Sequence, residues 1–518
     1  MRSNAKLRPV QLRRWWVDIG LMALAATLTA LYVFSAGGGF PLDDSWIHQT
    51  YARNLATTGI WSFVPGVPSA ASTSPLYTVV LAFGYVVGVP YTLWTHGVGA
   101  VVLGLTGIVG HRLASLIAPN LRWIGPLTGF ALVLAWHLIW AAASGMETML
   151  FSLLTLLLIW LVWLETTQRR LPLIGRGLIF GVVAGLTTLA RPEGVLLVGL
   201  SGLALLVARP KMIFRSVLLY GATAFTAFLI VLGPYLLFNV QLTGGLLPNT
   251  AAAKQMWARP LLELSYPWRL YNVTLPLLAG AQFALIPGMV VFVVHALRRL
   301  GGDRTGILML LLPAWGVGLI ALYAAQLPLP FQHGRYVIPA LPALIVAGVI
   351  GTGWLLRGAS AYLFGRVLAR TVALTAAFLL VIFALTLGLD AYRLDVAVID
   401  QEMVDPALWV EANIPISAIF AVHDIGAVGY FASRPILDIA GLVSPEFIPT
   451  LLDPDAMWAL LEERGAEFLM AMPDQVPGRD PSDPRLCPLY SSHGDAALRA
   501  GGEKTTIYRL AWDGACPS

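Results

Sequence analysis

Apolar runs of roughly helix-span length, separated by short polar turns, fill most of this chain. A helix needs about 20 apolar residues to cross a ~30 Å hydrocarbon core. The first run, Trp16 to Ala36, is long enough and ends in Gly37-Gly38-Gly39 with no clear cleavage pattern, so it reads as a retained span. Continuing along the chain gives about eleven spans. One run breaks the alternation. Pro75 to Trp94 is apolar enough to cross, but a crossing there would reverse every later loop. It is therefore read as an interfacial or re-entrant helix, begun by Ser72-Thr73-Ser74-Pro75 with proline in the first turn. His96 to Ile117 then makes the return crossing. Past Leu389 the apolar stretches shorten to strand length at Ile419–Val422, Ile436-Leu437, Phe468–Ala471 and Thr506–Tyr508, with a helical pattern over Asp455–Arg464.

The predicted fold is an α-helical polytopic membrane protein with a small C-terminal extracytoplasmic α/β domain. Residues 1–390 form the multipass part, with a first external loop over 37–96, and residues 391–518 form the soluble domain. Composition agrees: 57% of residues are hydrophobic and 12% charged, against about 25% charged in a soluble protein. The net charge of +5 does not point to nucleic acid, because the basic residues sit in short loops between apolar runs. Arg2, Lys6, Arg8, Arg13 and Arg14 put the N-terminus on the cytoplasmic side. Later clusters around Arg112, Arg169 with Arg170 and Arg176, Arg209 with Lys211 and Arg215, Arg298 with Arg299, and Arg366 with Arg370 take the same side. Cys487 and Cys516 are the only cysteines; on the outer side a disulfide between them is the expectation.

On the outer face, charge concentrates where lipid makes it costly, which marks functional candidates. Asp43 and Asp44 open the first external loop; His48 follows Asp44 by four residues and Arg53 by nine. Glu147, Arg191, Glu193, Lys254, Arg335 and Tyr336 lie at other outer turns. A hydroxyl acceptor needs a carboxylate base, and a phosphate leaving group needs cations where negative charge develops. Transfer of a sugar from a polyprenyl phosphate to a hydroxyl uses both, with a substrate that arrives through lipid. No phosphate-binding loop or dinucleotide fingerprint supports a nucleotide donor. Plainer readings exist for each group. Asp43 is also a helix cap, Arg191 and Glu193 a local ion pair, and Lys254 a residue reaching for headgroups. Asp424 and Asp438 read as turn residues of the soluble domain. Trp46 and Trp61, in the same loop, are aromatic platforms for a sugar ring.

These motifs resemble the first external loop of GT-C glycosyltransferases: Asp43-Asp44-Ser45-Trp46-Ile47, Tyr51-Ala52-Arg53-Asn54-Leu55 and Thr73-Ser74-Pro75-Leu76. Gly145–Thr148, Ala190–Gly194, Pro248–Thr250 with Lys254, and Arg335-Tyr336 before Pro339 extend the similarity along the chain. The nearest subgroup is the bacterial branch that includes mycobacterial terminal arabinofuranosyltransferases. The resemblance implies a polyprenyl-phosphate-linked sugar donor, a glycan, lipid or protein acceptor, and inversion at the anomeric carbon. By position, one of Asp43 and Asp44 is the base; Arg191, Lys254 and Arg335 are donor-phosphate candidates. A divalent metal ion, if used, falls to Asp43, Asp44 and His48. The alternatives are a lipid-linked-sugar flippase and a non-catalytic scaffold of envelope assembly.

Overall fold

The computed structural model describes residues 8–167, 171–208, 214–246, 248–301, 304–359, 362–432, 434–514 and 516. Arg2, Lys6, Arg169, Arg170, Arg209 and Lys211, used above for orientation, lie outside them.

Among the described residues, nine helices are long and apolar enough to cross a membrane. The pair α5 (Ile124–Val133) and α6 (Trp136–Ala143), bent by 53° at the break between them, has the length and composition of either a tenth, broken span or a re-entrant loop. The short apolar helix α9 (Gly194–Ala208) occupies the eleventh predicted position. At about 1.5 Å per residue it spans less than the hydrocarbon core. The nine are α1 (Arg8–Ser35), α4 (Tyr91–Ile117), α7 (Thr148–Thr167), α8 (Leu173–Ala190), α10 (Phe214–Thr243), α13 (Ile286–Arg299) with the turn before it, α14 (Thr305–Gln326), α16 (Leu341–Gly358) with the tight turn α15 (Phe331–Gly334) before it, and the long segment from α17 (Leu363–Leu385) through α18 (Leu387–Ile399) and α19 (Asp405–Asn413).

The segment between α1 and α4, expected as the first external loop, is itself helical. It carries α2 (Asp43–Thr58), which ends where Gly59 takes the left-handed conformation, and α3 (Pro75–Val86), capped by the Ser74 hydroxyl with Pro75 in its first turn. The predicted helix from Pro75 to Trp94 is cut short at Val86. Gly88 turns left-handed, Pro90 follows, and α4 begins at Tyr91 rather than His96. Two further helices, α11 (Asn249–Leu262) and α12 (Tyr266–Leu278), fall between the spans.

The C-terminal sheet has the order β2-β1-β3-β5-β4. β1 (Phe420–Val422) pairs in parallel with β2 (Ile436–Asp438) and β3 (Phe468–Ala471), while β5 (Thr506–Leu510) runs antiparallel to β3 and β4 (Leu486–Ser491). β4 escaped the sequence reading because Pro488 interrupts it; at an edge, proline is tolerated. The helices α20 (Ile425–Phe431) and α21 (Pro454–Glu463) complete the domain.

This domain does not hang from the bundle on a linker. Helix runs from Leu363 to Asn413. Phe40, Trp46, Tyr51 and Phe63 of the first loop share one core with Val410, Phe420, Val422, Ile425 and Val428 of the domain. Each such fully buried large side chain contributes about 1.5–3 kcal/mol, so loop and domain hold one another in place. Trp46 is part of that core, packed on Phe40, Tyr91, Tyr430 and Phe431, and is not a platform open to a sugar. Cys487 and Cys516 are disulfide-bonded across 29 residues. Closing a loop of that size is worth about 2–4 kcal/mol, so Cys516→Ser is expected to lower the thermal midpoint of the domain by several degrees, read by differential scanning fluorimetry.

Candidate active site

Adjacent residues on a helix point about 100° apart, and α2 uses this to divide its two acids. Asp43 turns toward the domain. Its carboxylate accepts N–H bonds from Gly426 at 2.6 Å and Ala427 at 2.8 Å, the first turn of α20. Asp43 therefore caps a helix of the C-terminal domain rather than its own helix, whose N-cap is Leu42. Gly426 is required for this approach, since a Cβ there would lie 2.0 Å from the Asp43 carbonyl oxygen. Burial and the nearby Asp424 carboxylate push the Asp43 pKa up, against the two N–H bonds that pull it down. Asp43→Asn should cost about 1.5–3 kcal/mol in stability, visible as earlier denaturant unfolding, with the aspartate's place in the cavity chemistry left to its neighbour.

Asp44 faces a cavity of about 450 Å³ that Glu147, Arg191, Glu193, Lys254, Arg335 and Tyr336 also line. The cavity thus gathers seven of the ten residues singled out in the sequence. Arg335 Nη2 donates to Asp44 Oδ2 at 2.7 Å, and Lys254 Nζ lies 3.9 Å from the same oxygen. Burial alone would raise the Asp44 pKa, but the two cations outweigh it and hold the carboxylate well below its usual range. Tyr336 gathers the positive groups: its ring lies under Arg335 at 4.9 Å, Arg191 at 5.3 Å and Lys254 at 5.7 Å, and its hydroxyl accepts from Arg335 at 3.0 Å. Arg335 keeps Nε and Nη1 buried and without a partner among the described residues. Val195, Leu196, Leu322 and Leu327 give the cavity an apolar wall from α9 and α14.

Along the cavity wall runs a buried ionic chain, with His48 behind it. His48 Nε2 stands 3.2 Å from Glu147 Oε2, Arg191 Nη1 donates to Glu147 at 2.7 Å, and Arg191 Nη2 donates to the Tyr323 hydroxyl at 2.7 Å. Tyr323 in turn donates to Glu193. Glu147 is driven down to about 2, because contacts with His48 and Arg191 outweigh its burial. His48 contacts Glu147 and, through Nδ1, Thr78 at 3.1 Å, so it acts behind the cavity wall.

Three sequence candidates are thus placed elsewhere. Asp43 caps α20, and His48 backs Glu147. Arg53 donates to the Tyr430 carbonyl at 2.8 Å and stacks over that ring, fastening α2 to the domain. Asp43, Asp44 and His48 do not converge on one point, and no cluster of three or more metal-ligating side chains occurs among the described residues. The proposed metal set is therefore not assembled here. Asp438 accepts N–H bonds from Ala440 and Val443, as a turn residue does, whereas Asp424 pairs with His423 and accepts from Gln475 at 2.6 Å.

The sequence reading missed two contributors. Tyr323 sits inside an apolar span with no local signal beyond its hydroxyl. His333 precedes Arg335 in a turn where Gln332, His333 and Gly334 all have positive φ, 51°, 58° and 70°. Non-glycine residues in this region store strain that the surroundings must hold. Here His333 Nε2 lies 2.8 Å from Asp395 Oδ2, which also accepts from Trp140 at 2.8 Å. This clamp fastens the turn that carries Arg335, and His333→Ala is expected to lower kcat more than it raises KM in a transfer assay.

Residues 392–510 match a family model described as a domain of unknown function, DUF8728. No curated protein matches the chain. Solved structures do. ArnT from Cupriavidus metallidurans, bound to undecaprenyl phosphate, aligns over 96% of this chain and 99% of its own with a TM-score of 0.59 at 15% identity. The archaeal oligosaccharyltransferase AglB from Archaeoglobus fulgidus, with an inhibitory peptide and a dolichol-phosphate, aligns over 98% of this chain and 75% of its own at 0.60 and 11% identity. A mycobacterial arabinofuranosyltransferase, AftD, aligns over 96% of this chain and 41% of its own with a TM-score of 0.48 at 15% identity. The chain has the fold of GT-C glycosyltransferases, multipass and helical with a small C-terminal sheet domain.

Proposed function

We propose that this protein transfers a sugar from a polyprenyl-phosphate donor to a hydroxyl on an extracytoplasmic glycan, lipid or protein, at the plasma or inner membrane, with its N-terminus cytoplasmic and its C-terminal domain outside. The observation that carries the proposal is Arg335: it lines the cavity and holds Asp44, yet keeps Nε and Nη1 buried and without a partner among the described residues. Those donors and Lys254 suit the two free oxygens of a phosphodiester. The apolar wall suits the first isoprene units of its lipid. Undecaprenyl phosphate in ArnT and dolichol-phosphate in AglB, on the same fold, agree with that assignment.

The chemistry follows from the pairing. Asp44 takes the proton of the acceptor hydroxyl. The acceptor oxygen attacks the anomeric carbon from the face opposite the phosphate, forming the new C–O bond with inversion. The bond from that carbon to the phosphate oxygen breaks, and its electron pair leaves on polyprenyl phosphate, where Arg335 and Lys254 stabilise the charge. In the free protein both cations neutralise Asp44, which makes it a weak base. An arriving donor phosphate competes for them, and the Asp44 pKa rises toward the range where proton transfer is efficient. Donor binding thus switches the base on. Purified protein in liposomes, supplied with synthetic polyprenyl-phosphate sugars and an extract of envelope glycans, should yield glycosylated product and free polyprenyl phosphate in equal amounts by mass spectrometry. Flipping of the lipid without transfer would refute the reading.

A further inference from the structure

A second cavity, of about 300 Å³, lies between α11 and the C-terminal domain, lined among others by Trp257, His423, Asp474, Gln475 and Arg479. It opens at the carboxyl ends of the parallel strands: His423 directly follows β1, and Asp474 lies three residues past β3. In open α/β sheets that is where ligands bind. Its size is at the lower end of small-molecule sites. Trp257 is 40% exposed, with the His423 ring edge-on at 4.8 Å. Asp474 and Arg479 are exposed, and their side chains make no hydrogen bond or ion pair among the described residues. His423 Nε2 is buried and unpartnered. Gly478 and Arg479 are both left-handed, φ 79° and 55°, so the turn that presents Arg479 is strained.

The cavity adjoins the site already described. Lys254 and Trp257, three residues apart, are neighbours on the surface of α11; the first lines the cavity with Asp44 and the second lines this one. On the other side, His423 pairs with Asp424 at 3.4 Å, and the Asp424 carboxylate is near enough to Asp44 for their charges to act on each other.

We propose that this cavity is the acceptor subsite and takes a sugar residue, with Trp257 facing the C–H surface of the ring and Asp474, Arg479 and His423 engaging its hydroxyls. The inference rests on the transferase reading and narrows its acceptor to a carbohydrate. A peptide fits less well: the pocket lies at strand ends, and the adjoining edge strand, β2, offers only three residues for strand addition.

The test uses the full chain in nanodiscs, with saturation-transfer NMR against the methyl glycosides of glucose, galactose, mannose and arabinose and a blocked tripeptide. At least one glycoside should bind. Trp257→Ala and Arg479→Ala should each weaken it about tenfold, and Trp257→Phe should retain it. Binding of undecaprenyl phosphate, read by native mass spectrometry, should be unchanged in all three and serves as the check on folding. Absence of glycoside binding, binding indifferent to both alanine variants, or binding of the tripeptide alone would overturn the subsite. Because neither readout requires transfer, loss of lipid binding in the unaltered protein would instead strike the donor assignment.

Discussion

Asp44→Asn is expected to lower kcat/KM for glycosyl transfer by about 10²- to 10⁴-fold, the usual contribution of a general base. The substitution keeps the shape of the side chain and removes its capacity to take a proton. Folding should survive, because Asp44 lines a cavity and holds no backbone group in place. Polyprenyl-phosphate binding should hold or tighten, since Arg335 and Lys254 lose the carboxylate that competes with the phosphate. Lower rate with equal or stronger donor binding separates a base from a residue that merely organises the pocket. The neighbouring Asp43→Asn should do the reverse, weakening the fold through the lost cap on α20. Comparable rate losses from both, at equal stability, would argue against the division of labour along α2.

Arg335→Gln should cost about 10²- to 10³-fold in kcat, the scale seen when a charge-stabilising donor is removed from a transition state. It should also leave a mark on pH dependence. Asp44 is held low chiefly by Arg335, with Lys254 second. Without the guanidinium, the Asp44 pKa in the free protein rises. The acid limb of kcat/KM, where the base becomes protonated and activity falls, therefore moves to higher pH. Lys254→Ala, which removes the looser contact at 3.9 Å, should move it less. A rate–pH profile for Arg335→Gln lying on the unaltered one would show that the arginine does not set the protonation of the base.

The general architecture was legible because bilayer thickness fixes helix length and the side-chain period fixes strands. Short elements were harder. α9 reads as a short span in sequence and is a helix shorter than the hydrocarbon core in the structure, and β4 hides behind Pro488. Most of the cavity was also legible, since charge held against lipid needs a reason. Asp44, Glu147, Arg191, Glu193, Lys254, Arg335 and Tyr336 converge although they are drawn from five separate segments of the chain. What sequence could not supply was direction. Asp43 and Asp44 look equivalent in a string; only helix rotation and the position of α20 tell the cap from the cavity acid. Arg53 and His48 have the residue types of ligands, but tertiary packing turns one to the Tyr430 carbonyl and the other to Glu147. His333 carried a signal next to Arg335, yet its clamp depends on Asp395, 62 residues away.

The most direct measurement is a cryo-electron microscopy map of the protein in nanodiscs saturated with undecaprenyl phosphate. The account predicts phosphate density within hydrogen-bonding distance of Arg335 and Lys254, beside Asp44, with the isoprenoid chain along Val195, Leu196, Leu322 and Leu327. Phosphate density outside this cavity, with Arg335 and Lys254 still closed on Asp44, would contradict it.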